Sequence, residues 1–99
     1  MIRHIVLWKL AADDAAQREQ DAAGVRDRLE ALAGVVPGLA AISVRADVGT
    51  TDGNWDLALV SEHDDEEALA AYQAHPAHVE AAAFIKTVVA GRAAVDHAL

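Results

Sequence analysis

The chain opens on an apolar run from Ile2 to Leu10 that only Arg3, His4 and Lys9 interrupt. Branched and aromatic residues over so short a span, closed by the acidic pair Asp13 and Asp14, predict a strand over residues 3–10. From Asp14 to about Leu32 the period changes. Ala22, Val25, Leu29 and Leu32 recur at helical spacing, while Arg18, Glu19, Arg26, Asp27 and Glu30 lie off that stripe, which predicts an amphipathic helix. Gly34, Pro37 and Gly38 stop it. Ile42, Val44, Ala46 and Val48 then alternate with Ser43, Arg45 and Asp47, the two-residue period of a second strand over residues 40–48. The turn-rich stretch at 49–54 leads into WDLALV, residues 55–60, a third strand that pairs with the second as an antiparallel hairpin.

Asp64, Asp65, Glu66 and Glu67 favour a helix start, and Leu69 and Tyr72 follow three residues apart on one side of it. Pro76 restricts His75 and cannot donate inside a helix, so this helix ends near His75 and another begins with Pro76 in its first turn and runs to Gly91. Residues 92–99 close the chain as a last strand. The order β-α-β-β-α-β, with an extra helix before the last strand, predicts an α+β fold of the ferredoxin-like kind, a four-stranded antiparallel sheet in one domain over residues 1–99. IVLWKL and WDLALV are apolar on both sides, and helices cover only one face of the sheet. A homodimer in which two sheets face each other is therefore expected, because a lone subunit showing Trp8 or Trp55 on an open sheet would be prone to aggregate.

Composition narrows the partners more than the fold. Sixteen acidic against eight basic residues give a net charge of −8, which disfavours phosphate backbones and anionic membrane surfaces, so neither nucleic acid nor membrane is expected as a partner. With no cysteine, disulfides, thiolate metal sites and cysteine nucleophiles are excluded, in keeping with an expected cytoplasmic location. No run is long enough to span a bilayer, and the first residues lack the pattern of a secretory leader.

The chemistry-bearing residues concentrate in AYQAHPAHVE, residues 71–80, where Tyr72, His75 and His78 surround Pro76. The spacing of His75 and His78, with His63 and His97 elsewhere, does not build a metal site, because Pro76 breaks the helical register that would align two rings. Ser43 and Ser61 sit in strands with no marked base nearby, and neither a GxSxG elbow nor a glycine-rich phosphate loop is present. Each residue also has a structural role open to it. His78 can bond to backbone at a helix start, Tyr72 can pack in the core beyond Leu69, His75 can cap the junction, and His4 alternates with Ile2, Val6 and Trp8 on one strand face.

Taken in order, IRHIVLWKL, VVPGL, WDLALV, LAAYQAHPAHV and VDH resemble the stress-responsive alpha/beta-barrel domain family, a branch of the dimeric alpha/beta-barrel superfamily. The resemblance implies a homodimer of ferredoxin-like subunits whose sheets form a barrel. Plant polyketide cyclases of this fold are similar around AYQAHPAHV, and their catalytic tyrosine and histidine match Tyr72 and His78. Their first-strand pocket histidine matches His4, whereas the one on their third strand falls at Leu57, which implies a different substrate. The expectation is a pocket between sheet and helices, bordered by His4, Trp8, Leu57, Leu69 and His75, that takes a small apolar or polyketide-like molecule. Ile42, Val44 and Phe84 are further candidates for its apolar wall. There a neutral His78 would take a proton from an activated CH₂ and Tyr72 would donate to the developing enolate, an aldol closure needing neither metal nor organic cofactor. The alternative is a non-catalytic, stress-related assembly protein whose histidines are structural.

Overall fold

A computed structural model describes all 99 residues. Strand β1 (Ile2–Leu10) lies inside the sheet, antiparallel to both its neighbours, and alternates in burial: His4, Val6, Trp8 and Leu10 are buried while Leu7 and Lys9 are exposed. Helix α1 (Ala15–Glu30) follows, its first turn held by the Asp14 carboxylate, which accepts from the Gln17 backbone N–H at 2.9 Å. Val25 and Leu29 are its buried apolar residues, one helical turn apart. Strands β2 (Leu39–Ala46) and β3 (Leu57–His63) form the expected hairpin, and the sheet order is β2-β3-β1-β4. Helix α2 (Glu66–Ala74) is capped by Asp65, and α3 (Pro76–Val88) runs straight into β4 (Val89–Ala98). No helix is long and apolar enough to cross a membrane.

The first helix ends at Glu30 rather than near Leu32 and the second strand at Ala46 rather than Val48, and three further boundaries differ from the sequence pattern for a local reason. The third strand begins at Leu57 rather than Trp55, because Asp56 is spent on a clasp: its carboxylate accepts from the Leu10 N–H at 2.8 Å and from Arg18 at 2.7 Å. Arg18 also donates to the Ala12 carbonyl at 2.9 Å, so one guanidinium ties the end of β1, the start of α1 and the start of β3. The same strand runs on through Ser61, Glu62 and His63, past the apolar run that marked it, because β1 offers partners as far as Ile2. The last helix stops at Val88, and Val89–Gly91 join β4, where Leu10 and Lys9 of β1 pair with them.

The alternation of β1 corrects one expectation about the tryptophans. Trp8 faces the helices and is 4% exposed, so it is a core residue, while Trp55 lies half-buried against Gly91 and under the Lys9 ammonium at 5.0 Å. The open side of the sheet instead carries Ile5, Leu7, Ala58, Val60, Ala93 and Val95 in adjoining registers, and Leu7, Val60 and Val95 among them are exposed. The unpaired edge of β2 is blunted from the helical side, where the Glu30 carboxylate accepts from the Val44 N–H and from Arg45, both at 3.0 Å.

The connection from α1 to β2 turns on Gly38, whose φ of +82° puts it in the left-handed region, with the Ala68 methyl 2.7 Å from where a Cβ would sit. Gly38→Ala therefore meets both backbone strain and a clash with α2. A loss of about 1–3 kcal/mol in urea unfolding is expected, and an unchanged midpoint would contradict this account of the turn.

Candidate functional site

Four rings meet under α2 and the start of α3, brought there by four different elements. His4 comes from β1 and His63 from the end of β3, while Tyr72 comes from α2 and His78 from the first turns of α3. His4 and His63 are neighbours because β1 and β3 pair Ile2 with His63 and His4 with Ser61, and both rings point to the helical side. Tyr72 is the hub of the group. Its ring centroid lies 4.5 Å from His78, 4.7 Å from His63 and 6.2 Å from His4. The kink that permits this is His75, whose extended backbone ends α2 while its Nδ1 accepts from the Ala77 N–H at 3.1 Å and starts α3. With Pro76 at the first position, helix α3 sets off in a new direction and carries His78 back toward Tyr72.

The hydrogen bonds fix which ring nitrogens are free. His4 Nδ1 pairs with the Asp96 carboxylate on β4, and His78 Nδ1 lies 3.1 Å from the Gln73 carbonyl oxygen. A carboxylate and a carbonyl only accept, so both Nδ1 atoms carry protons, and in the neutral rings Nε2 keeps the lone pair. Burial lowers the pKa of His78, with the charges of His4 and Arg92 adding to the effect, although the bond to Gln73 works against it. His63 is lowered too, first by burial and then by His4. Tyr72 is pushed up to about 12 by burial, so it is a neutral phenol at physiological pH.

A cavity of about 430 Å³ opens between β1, α3 and β4, with His4 and His78 in its wall beside Val6, Trp8, Leu29 and Ile85. Of the residues that the sequence proposed for the site, this wall therefore takes His4, Trp8 and His78. Tyr72 stands behind His78, and its hydroxyl is sealed from solvent with no hydrogen-bond partner. Leu57 and Leu69 lie in the core away from the cavity, Leu57 because it starts β3 at the Asp56 clasp and Leu69 because it sits a turn before Tyr72 on α2. His75 is spent on its cap. Ile42 and Val44 are on β2, away from this wall, and Phe84 packs under Gly24 and the Arg28 guanidinium, 3.5 Å from its ring centre. A second groove of about 640 Å³ between α1 and the β2–β3 hairpin holds Arg18 and Asp56, whose charges are already matched to each other.

Two residues of the ring cluster had no signal in the motif around Pro76. Asp96 fixes the proton on His4, and the VDH ending contained it without marking it as a site residue. His63 is fully buried, and its Nε2 lies 2.9 Å from the Ser61 hydroxyl, so the serine that lacked a base in sequence has one two residues on, on the same strand face. Both are sealed inside, and His63 Nδ1 has no partner. The signal was available in the two-residue period, had the third strand been extended past Val60. No group of three His, Cys, Asp or Glu side chains is arranged to hold a metal ion.

Two partly desolvated imidazoles make stability depend on pH. His63 and His78 bind a proton less readily in the folded chain than in the unfolded one, so their contribution is complete above about pH 6.5 and is lost as the pH falls through their lowered values. Thermal unfolding is expected to shift to lower temperature from about pH 7 to about pH 5, with a shallower slope in His63→Leu than in the parent. Equal slopes in the two proteins would show that His63 is not a source of the effect.

Comparison with known proteins agrees with this geometry at the level of family and fold. The model of the Stress Responsive A/B Barrel Domain matches residues 2–98. A dimeric ferredoxin-like protein of unknown function from Thermobifida fusca is 36% identical with a TM-score of 0.84, over 99% of this chain and 90% of that one. A dimeric protein of unknown function and ferredoxin-like fold from Bacteroides fragilis is 29% identical with a TM-score of 0.88, over 99% and 95% of the two chains. A hydroxynitrile lyase from Passiflora edulis shares the fold at 13% identity and a TM-score of 0.75, over 97% and 90%. No curated protein matches the chain. With four strands and three helices in ferredoxin-like order and the family pattern running from end to end, this chain belongs to the stress-responsive A/B barrel domain family.

Proposed function

We propose that the cavity between β1, α3 and β4 binds a small apolar or polyketide-like molecule, and that His78 and His4 carry out acid–base chemistry on it without metal or organic cofactor. One observation carries this reading. Two imidazoles whose Nδ1 protons are committed to Asp96 and to the Gln73 carbonyl border one otherwise largely apolar cavity, each with Nε2 as its remaining acceptor. The volume falls in the range of about 300–1,000 Å³ usual for small-molecule sites. A histidine held below its ordinary pKa is neutral at pH 7 and ready to accept a proton.

In an aldol closure His78 Nε2 takes a proton from a CH₂ between two carbonyls. The carbanion then attacks a second carbonyl carbon of the same chain, and the new alkoxide oxygen recovers the proton from the imidazolium. His4, in the same wall as His78, is the second imidazole able to exchange a proton with the substrate, donating to the enolate oxygen when its Nε2 carries the proton. Tyr72 is assigned a positioning role, because its ring packs on His78 while its hydroxyl does not reach the cavity. A panel of 1,3-diketones and aromatic ketones, followed by thermal shift and by product formation, tests the assignment. Ligands should stabilise the parent more than His78→Ala. Tyr72→Phe should keep turnover within about tenfold, since loss of a true proton donor costs about 10²–10⁴-fold. A loss in the larger range would make the phenol the acid, and equal stabilisation of parent and His78→Ala would remove His78 from the site.

The apolar open face supports a homodimer as the working unit, in agreement with the dimeric relatives. Leu7 and Val60 lie on neighbouring strands there and are exposed. Light scattering after size exclusion should report a dimer for the parent and a monomer for the double variant Leu7→Lys/Val60→Lys, as buried like charges without partners disfavour association. A parent that elutes as a monomer would sink this assignment.

A further inference from the structure

Four polar side chains stand in the otherwise largely apolar wall of the cavity: His4 and His78, and Lys86 and Arg92 on either side of the junction where α3 passes into β4. On α3, His78 and Lys86 are eight residues apart, about 12 Å along a helix. On the sheet, Arg92 pairs with Trp8, four residues from His4, a separation of about 13 Å along a strand. Two independent elements thus set a similar backbone spacing between the histidine positions and the cation positions, and Val6, Trp8, Leu29, Leu59 and Ile85 line the wall.

The two cations are free. Lys86 and Arg92 make no ion pair and no side-chain hydrogen bond, although the chain carries twice as many acids as bases. No carboxylate lines the cavity, and Asp96, which shares the helical side of β4 with Arg92, is already paired with His4. Two unpaired cations at the exposed rim of an apolar trough, in a protein of net charge −8, form a local positive field that favours an anion over a neutral or cationic molecule.

We propose that the cavity takes an elongated apolar molecule ended by an oxyanion, with the charge held by Lys86 and Arg92 and the opposite end lodged between His4 and His78. This names the ligand class for the reading above and rests on that cavity being the ligand site. Arg92 suits the task because its planar fork binds a carboxylate or phosphate through two parallel N–H donors, with Lys86 adding a point charge. The anchor also supplies direction, since charge fixed at the junction leaves only the far end of the ligand to meet the two Nε2 atoms.

Octanoate, octyl phosphate and neutral octanol, titrated calorimetrically into the parent and into Lys86→Met/Arg92→Leu with imidazole NMR signals followed in parallel, form the test. Octanoate or octyl phosphate should bind the parent about tenfold more tightly than octanol, as charge-assisted bonds at a partly exposed site allow. Whichever of the two is tighter tells a carboxylate source from a phosphate source, and either supports the proposal. In the double variant this preference should vanish while octanol binding persists. If octanol binds the parent as tightly as the anions and still shifts the His4 and His78 signals, the charge anchor is overturned and the cavity reading survives. If none of the three shifts those signals, both fall together.

Discussion

The two-residue period of β1 is the constraint on which the rest of the structure depends. Because the strand is bonded on both edges, its even positions must all face one way and its odd positions the other. His4, Val6, Trp8 and Leu10 therefore enter the helical layer together, while Ile5 and Leu7 turn to the open face. A slip of one residue would put the imidazole and the indole on the open face and strip the core of Trp8. The clasp of Asp56 and Arg18 guards against such a slip at one end, since it binds the Leu10 N–H and the Ala12 carbonyl at fixed places.

Burying three polar rings and part of a fourth is expensive unless their polar atoms are matched. This fold matches most of them and leaves a telling remainder. His4 has Asp96, His78 has the Gln73 carbonyl and His63 has Ser61, yet the Tyr72 hydroxyl and His63 Nδ1 go without partners. These two unmatched atoms belong to rings whose centroids lie 4.7 Å apart, beside His78 of the cavity wall, which is where stability is commonly given up for chemistry. Desolvation then does two things with one arrangement. It favours the neutral, proton-accepting form of His63 and His78, and it holds the Tyr72 phenol protonated.

The helix junction at His75 and Pro76 converts this packing into a site. A continuous helix would place His78 nearly two turns beyond Tyr72, off its face. Breaking the helix at an extended residue and restarting it with proline folds the later segment back, so that six residues separate two rings only 4.5 Å apart. The same segment then delivers Lys86 to the cavity wall that Arg92 also lines, without a loop, because α3 passes directly into the edge strand.

The chain's own pattern determined the element order, the proline-centred helix break and the surplus apolar face, because alternation, helical period and the missing N–H of proline are local properties that survive without any neighbour. It also marked His4, Trp8 and His78, which border the cavity, and Tyr72, which packs behind it. Only the tertiary structure decided that Asp96 and His63 belong with them, that Leu57, Leu69 and His75 stand apart from the cavity, and that the tyrosine hydroxyl is sealed. Those outcomes depend on strand register and on which helix covers which row, and pairs such as His4 with Asp96, ninety-two residues apart, leave no trace in local spacing.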